Sequence, residues 1–554
     1  MLRLRDLKLP LDHPPEGLAE AIVKKLRIHS SELISYKLVK RSIDARFKEK
    51  IMLVYSVDIL VKKEEILIHH FAGDSKISKT PNTSYRYRFK APNGFPKDEH
   101  QRPVVVGAGP CGYFAALTLA QMGFRPLLIE RGKSIKERTL ETFGFWKGNH
   151  AFNPDSNVQF GEGGAGTFSD GKLYSQKSDP EHYGRKVLEE LVASGANSDI
   201  LTTHRPHIGT FKLASVVRGI RSRIEEFGGE IRFETRMERL LLERRTASHL
   251  EDKLFQVLGL KLADGSIINT QNVILALGHS ARDTFESLES VGVKIEQKLF
   301  SVGFRIEHKQ SLIDRDRWGE MVGHPQLGHA EYKLVYHASN GRCVYSFCMC
   351  PGGLVVGATS EKDCVVTNGM SQHTRNERNA NSALVVNLFQ EDLLRFERWP
   401  LDPLAGISFQ RSLEKKAFDL GGSNYSAPSQ RLADFMAYKP SVALGRVKPS
   451  YLPGIKLTDL NYLLPNQFID AIREALPVFG KRLPSFNDPD ALLTGIETRT
   501  SSPIRIPRDS DLESVNTGGL IPAGEGAGYA GGILSAGIDG IRAAEALAKI
   551  LVKR

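Results

Sequence analysis

The chain is poor in cysteine, with five in 554 residues. That is too few for a disulfide framework, so a reducing cytoplasm is the expected setting. Those cysteines and the sixteen histidines fall into no zinc-ligand spacing, and no metal site is expected. No run approaches the length of apolar sequence that a membrane-spanning helix needs, so no membrane partner is expected either. The opening MLRLRDLKLPLDHPPEG mixes charge with proline and lacks the apolar segment of a signal peptide. What remains is the composition of a water-exposed globular protein, 41% apolar and 25% charged, and too long for one ordinary core.

The net charge of +11 is uneven: residues 1–100 carry 20 Lys/Arg against 13 Asp/Glu, which is most of the excess. A basic domain attracts acidic ligands or partners, or is simply a solvated surface. Within it, Gly17–Ile28 has the apolar spacing of a helix, with Leu18, Ile22 and Leu26 on one face. Lys50–Val61 and EILIHHF read as strands, and Lys90–Pro103 reads as a linker. A basic α+β domain over 1–95 follows. SYRYRF (residues 84–89) interleaves arginine with aromatics, which suits either a plain strand or base stacking beside phosphate contacts.

Pro103–Gly132 is the most informative stretch. Val104–Val106 suits a buried parallel strand; Gly107, Gly109 and Gly112 make G-x-G-x-x-G; helix formers follow; a second strand ends at Glu130. Each part has a physical task. Gly107 permits the tight turn, Gly109 lets backbone approach a pyrophosphate, and Gly112 lets helix and strand pack closely. The helix N-terminus, beginning at Pro110, offers free N–H groups and partial positive charge. Glu130 can accept from a ribose. No second G-x-G-x-x-G occurs between Phe285 and Leu520, so a dedicated nicotinamide domain is not expected. Gln159–Ser175, QFGEGGAGTFSDGKLYS, packs five glycines into seventeen residues, but its Phe160, Phe168, Leu173 and Tyr174 are not the residues of a flexible linker.

The βαβ unit followed by ERG resembles the FAD-binding opening of the glutathione-reductase-like and fumarate-reductase-like flavoproteins. VILALGHSARD (273–283) and GLIPAGEGAGYAGGILSAGIDGIRAAEALAKIL (519–551) resemble two later segments of that superfamily. Seven stretches, among them RSIDARFK, QFGEGGAGTFSDGKL, VYSFCMCPGG, ETRTSSPIRI and GEGAGYAGGI, are similar to a narrower group, the FAD-dependent dehydrogenases with a basic N-terminal domain. The resemblance implies a fold of α/β and α+β class: a discontinuous Rossmann-like FAD-binding domain (100–300 and 511–554) and an inserted mixed-sheet substrate domain (301–510). It implies FAD as cofactor, with NAD(P)H as a transient electron donor in the substrate cleft. The cofactor residues it implies are Gly107, Gly109, Pro110, Gly112, Glu130 and Arg131 at the opening, and Gly161, Gly163, Gly164, Gly166 and Thr167 beside the ring system. Gly278 follows at the return of the chain, with Gly524, Glu525, Gly526, Gly531, Gly532 and Ile533 at the C-terminal motif. The helix opened by Gly531 and Gly532 would turn its positive end to the reduced flavin.

Candidate chemistry is sparser, as expected where a cofactor carries the reaction. Strand alternation in CVYSFCMCPGG puts Cys348 and Cys350 on one face, as packing or as a dithiol. Arg499 could anchor a carboxylate or phosphate, or pair with Glu497 on the surface. Arg305 and His308 sit in SVGFRIEHKQ, with His308 a candidate general acid or base. The resulting expectation is an FAD-dependent oxidoreductase acting on a small molecule, with a nicotinamide or a protein as electron partner. The alternatives are a flavoprotein that binds or modifies RNA, so that nucleic acid is its partner, and a non-catalytic electron relay.

Overall fold

The computed structural model describes residues 1–175, 178–245 and 253–553. Of the five β-sheets among the described residues, three organise the chain. The first is antiparallel, with strands in the order Leu33–Asp44, Met52–Val61, Leu2–Pro10, Ile77–Lys79. The helix Gly17–Leu26 lays Leu18, Ile22 and Leu26 against it, the face that the periodicity predicts. Glu64–His70 is a helix and not the expected strand. Glu64 and Glu65 stand in its first turn and His69 and His70 in its last, each sign at the end of the dipole that favours it.

The second sheet is wholly parallel and carries the glycine motif. Its order is Leu520–Pro522, Val273–Leu275, Val104–Val106, Leu127–Ile129, Glu230–Arg232. Alternation divides its side chains cleanly. Val105, Leu128, Ile274 and Ile521 face the helices Pro110–Gln121, Thr210–Glu226 and Ile533–Lys553. Val104, Val106, Leu127, Ile129, Val273 and Leu275 face the other side, where the antiparallel strands Met237–Arg244 and Phe255–Leu262 cover them. A parallel sheet buried on both faces reads as unbroken apolar triplets, which is how four of these strands appear in sequence; the edge strand Glu230–Arg232, EIR, is the exception. At Gly112 an added Cβ would lie 1.8 Å from the Gly107 carbonyl oxygen, so only glycine lets the first helix close onto the first strand.

The third sheet is large and mixed. Cys343–Gly357, Asn379–Asn387, Ser301–Lys309, Leu492–Glu497 and Ala427–Arg431 are its long central strands, antiparallel in sequence of pairing. Its core is continuous with that of the N-terminal sheet. The N-terminal unit also touches the parallel-sheet unit: the Arg41 N–H donates to the Thr202 carbonyl at 2.7 Å, and the His204 N–H donates to the Arg41 carbonyl at 2.9 Å.

SYRYRF forms no strand. Tyr85 donates to Glu545 on the C-terminal helix at 2.8 Å, and the Lys186 ammonium lies about 5 Å from the rings of Tyr85 and Tyr87. Two of the aromatics weighed for base stacking are therefore occupied in fastening this segment to the parallel-sheet unit. Among the described residues no helix is long and apolar enough to cross a membrane.

Candidate active site

The carboxyl ends of the parallel strands and the near face of the mixed sheet enclose a cavity of about 390 Å³. Its first wall is built by helix N-termini. Gly107, Gly109 and Pro110 line it from one helix, and Gly531, Gly532 and Ile533 from another. Two positive helix ends converging on one cavity make a site for a dianionic pyrophosphate and an electron-rich ring. Glu130, Arg131, Gly164, Gly166, Gly278 and Glu525 complete this wall. The cradle fits FAD on its own evidence. Gly531 has an ordinary negative-φ backbone, and an added Cβ there would meet no protein atom within 4 Å. Gly531 lies at the cavity surface and leaves room there for a bound group to approach its backbone.

The remaining predicted cofactor residues shape the wall from behind. An added Cβ at Gly163 would strike the Thr167 hydroxyl at 2.2 Å, at Gly524 the Cys111 side chain at 2.8 Å, and at Gly526 the Gly278 carbonyl at 2.5 Å. Gly112, Gly161, Gly163, Gly524, Gly526 and Thr167 are not at the cavity surface. Glu130, expected from the sequence to accept from a ribose, accepts backbone N–H bonds from Ala108 (2.8 Å), Gly132 (3.0 Å) and Gly161 (2.8 Å). It ties the first glycine turn to the second glycine-rich loop. Arg131 is clamped between Asp155 and Asp283, with its guanidinium 4.2 Å from the centre of the Phe160 ring.

Sequence reasoning missed what holds the glycine-rich loop. Arg138, fully buried, donates to the carbonyls of Asn157, Val158, Gly161 and Glu162 at 2.7–3.1 Å. Glu162, also fully buried, accepts from Tyr113 at 2.8 Å and from the Ile135 N–H at 2.6 Å. A buried arginine spending its fan of donors on four carbonyls fixes a loop that its glycines alone would leave free.

The opposite wall is polar. Ser169, Lys172, Tyr174, Cys348, Asn368 and Glu497 face the cavity. Lys172 donates to the Met349 carbonyl and lies 3.7 Å from Asp170, which Arg375 also grips. Arg305 is wholly spent on the protein: it donates to Glu497 at 3.0 Å, to the Cys348 carbonyl at 3.0 Å, to Asn381 at 3.2 Å and to Asn368 at 2.9 Å. Its place is behind the wall, positioning Glu497 and Cys348. Burial pushes the Glu497 carboxyl up to about 7; Arg305 opposes that shift and Cys348 adds to it. A carboxyl poised there can give or take a proton at neutral pH.

Arg499 faces the cavity but is not a free anchor. Its bidentate partner is Glu414, at 2.9 and 3.1 Å, and it also donates to Ser280 at 2.6 Å and Ser360 at 3.1 Å. The expected surface pair with Glu497 does not form; both residues are buried and each has another partner. His308 is away from the site. It is fully buried behind the strand Ser301–Lys309 and bonded to the Phe486 carbonyl at 2.9 Å, and burial lowers its basicity to about 4. It has neither access nor charge for acid–base work at the cavity. His279 does line the cavity, but burial beside Arg499 and Arg282 lowers it to about 3, so it is a neutral imidazole.

Glu361, Cys364 and Glu414 lie close enough together to suggest a metal site. The two carboxylates are already claimed by Arg282, Arg411 and Arg499, at 2.6–3.1 Å. Three guanidiniums around two carboxylates leave no negative charge for a cation.

A glycine-turn parallel sheet, two helix ends aimed at one cavity and a mixed sheet closing it define a cleft built for a dinucleotide cofactor, and FAD is the cofactor that the matching family model names. The family described as FAD-dependent protein, C-terminal domain-like, matches residues 299–500, and a domain of unknown function matches residues 1–60. A Clostridium beijerinckii protein, itself described as uncharacterized, is 43% identical over 545 residues, covering 98% of each chain. The chain belongs to the family that this relative represents, a family of FAD-dependent proteins. Among solved structures, E. coli quinol fumarate reductase FrdA aligns with 81% of this chain and 70% of its own at 13% identity and a TM-score of 0.35. Glycine oxidase from Bacillus cereus aligns with 82% and 95% at 10% identity and a TM-score of 0.34.

Proposed function

We propose that the protein moves a hydride or an electron pair to or from a small molecule held between the cofactor cradle and the polar wall. The bound isoalloxazine would supply the hydride or electron transfer to the small molecule. The helix ends at Pro110 and Ile533 would hold the phosphates and the ring, with Glu525 and Arg131 beside them. Glu497 would hold the proton that accompanies the transfer, and Arg305 would fix its orientation. Lys172 and Tyr174 would orient the substrate's polar edge. The observation that carries the reading is Glu497: a carboxyl near neutrality, in the same cavity as the two helix ends. NAD(P)H would reach this cleft only transiently, since no second G-x-G-x-x-G occurs between Phe285 and Leu520.

The test is an anaerobic visible-spectrum titration of the purified protein with NADPH, then NADH, then a panel of organic donors. Bleaching of the flavin bands by one donor class identifies the electron source. A protein with no flavin bands, and none after FAD is added, refutes the proposal.

A further inference from the structure

Cys348 and Cys350 stand where the polar wall bends. Regular alternation would place both on one face of Cys343–Gly357. The strand is not regular there. Its register against Asn379–Asn387 shifts between Phe347 and Cys350 and again before Gly353, and Cys348 has a φ of 45°. A bulge of this kind re-aims a side chain, and a non-glycine residue in the left-handed region persists only where its surroundings hold it. Here the bend brings Cys348 to the cavity, leaves Cys350 fully buried behind it, and curls the Cys350 thiol back to the Cys348 carbonyl at 3.5 Å.

Two cations fasten the bend by its carbonyls, fully buried Arg305 at Cys348 and part-buried Lys172 at Met349. The same cations favour negative charge on the sulfur between them. The Cys350 thiol hydrogen-bonds Cys348 and holds it well below the ordinary thiol range, with Lys172 and Arg305 reinforcing, while Cys350 itself is pushed up. Cys111, Cys343 and Cys364 are all shifted the opposite way from Cys348, by burial. Those three behave as the small hydrophobes that buried cysteines usually are. Cys348 does not.

We propose that Cys348 and Cys350 are a redox pair that exchanges two electrons with the flavin bound in the same cavity. The proposal rests on the FAD reading of that cavity. The pair begins as one thiolate and one thiol. Forming the bond between Cys348 Sγ and Cys350 Sγ releases two electrons and the Cys350 proton, and oxidised flavin takes up two electrons and one proton to become its reduced anion. In the other direction, reduced flavin opens the disulfide and returns that proton to Cys350. The site then stores four electrons where flavin alone stores two. Lys172 and Arg305 are positioning residues: they hold the bend and the charge, and touch no reacting atom.

The experiment uses the full chain with its flavin. The protein is equilibrated anaerobically across a series of reduced and oxidised dithiothreitol buffers, alkylated, digested and weighed. Cys348 and Cys350 are expected to lose alkylation together, in a peptide lighter by its two thiol hydrogens, while the other three cysteines stay alkylated throughout. A dithionite titration of the oxidised protein is expected to consume four electrons per flavin, and two in Cys350→Ser. A flavin-bound protein whose five thiols alkylate in every buffer, and which consumes two electrons, overturns the redox pair alone. A protein that pairs these thiols but binds no flavin overturns the cofactor site and, with it, the electron exchange.

Discussion

Gly531→Ala separates what the fold needs from what a ligand needs. Gly531 has a negative φ, so alanine is not strained there, and the new Cβ would meet no protein atom within 4 Å. The Gly531 N–H, bonded to Ser535 Oγ at 3.0 Å, keeps its acceptor. The apo-protein should therefore melt within about 1 °C of wild type, because an unstrained change in open space alters stability by no more than a few tenths of a kcal/mol. The methyl would stand at a residue that lines the cavity. If the flavin lies against the backbone there, the intrusion is an overpacking event of about 1–3 kcal/mol. That weakens FAD binding roughly 5- to 150-fold. Gly112→Ala is the contrast. Its Cβ would meet the Gly107 carbonyl at 1.8 Å, inside the fold itself. It should lower the melting temperature of the apo-protein as well as FAD affinity. The assay is flavin removal, thermal melting of both apo-variants, and FAD titration by quenching of flavin fluorescence. An apo Gly531→Ala protein that binds FAD as tightly as wild type would falsify the placement of the cofactor against this helix end.

Glu497→Gln should abolish an inflection near pH 7 in the rate of flavin reduction, measured by anaerobic stopped flow with whichever donor bleaches the protein; an inflection that survives assigns it elsewhere. The folded carboxyl titrates near 7 against 4.5 unfolded. The native state therefore holds the extra proton between those values, and stability falls as pH rises through that window. The displacement corresponds to about 3 kcal/mol, so the variant should gain melting temperature over wild type at pH 8 and show no gain at pH 4. Glu414→Gln takes from buried Arg499 the carboxylate that its fork grips and leaves Arg282 with Glu361, which Arg411 shares. It should cost about 3–5 kcal/mol, read as an early thermal transition, and an unshifted melt would show that these arginines are solvated. Tyr85→Phe removes the bond to Glu545 and should cost about 1 kcal/mol, with hydrogen exchange rising in residues 80–90 before the rest of the chain.

Much of the cofactor half was legible because its physics is local. A glycine turn, a helix start and an apolar triplet each act within a few residues, and G-x-G-x-x-G states all three in order. Twelve of the eighteen residues named from sequence for the cofactor lie at the cavity surface. The other six are glycines and a threonine that shape its backing, and nothing local distinguishes a glycine that meets a ligand from one that meets its own backbone. EILIHHF misled for a related reason: short apolar runs fit either period.

The polar wall was harder to read because every assignment in it depends on a partner far along the chain. Arg499 looked like an anchor for an anion until Glu414, 85 residues away, took its fork. Glu497 looked like that arginine's partner, and instead pairs with Arg305, 192 residues away, while burial lifts its carboxyl towards neutrality against that pairing. Cys348 and Cys350 looked like two residues on one strand face, and the bulge that separates their roles is held by Arg305 and by Lys172, 177 residues away. Arg305 thus belongs to both features. Through its Nε it holds the carboxyl, and through one terminal nitrogen it holds the carbonyl of the bent cysteine. A single buried guanidinium sets the proton-handling group and the sulfur at fixed positions on one wall. Replacing it with lysine, which keeps the charge but loses the fork, should therefore disturb the pH profile and the thiol pairing together; if one moved without the other, the two features would not be coupled through Arg305.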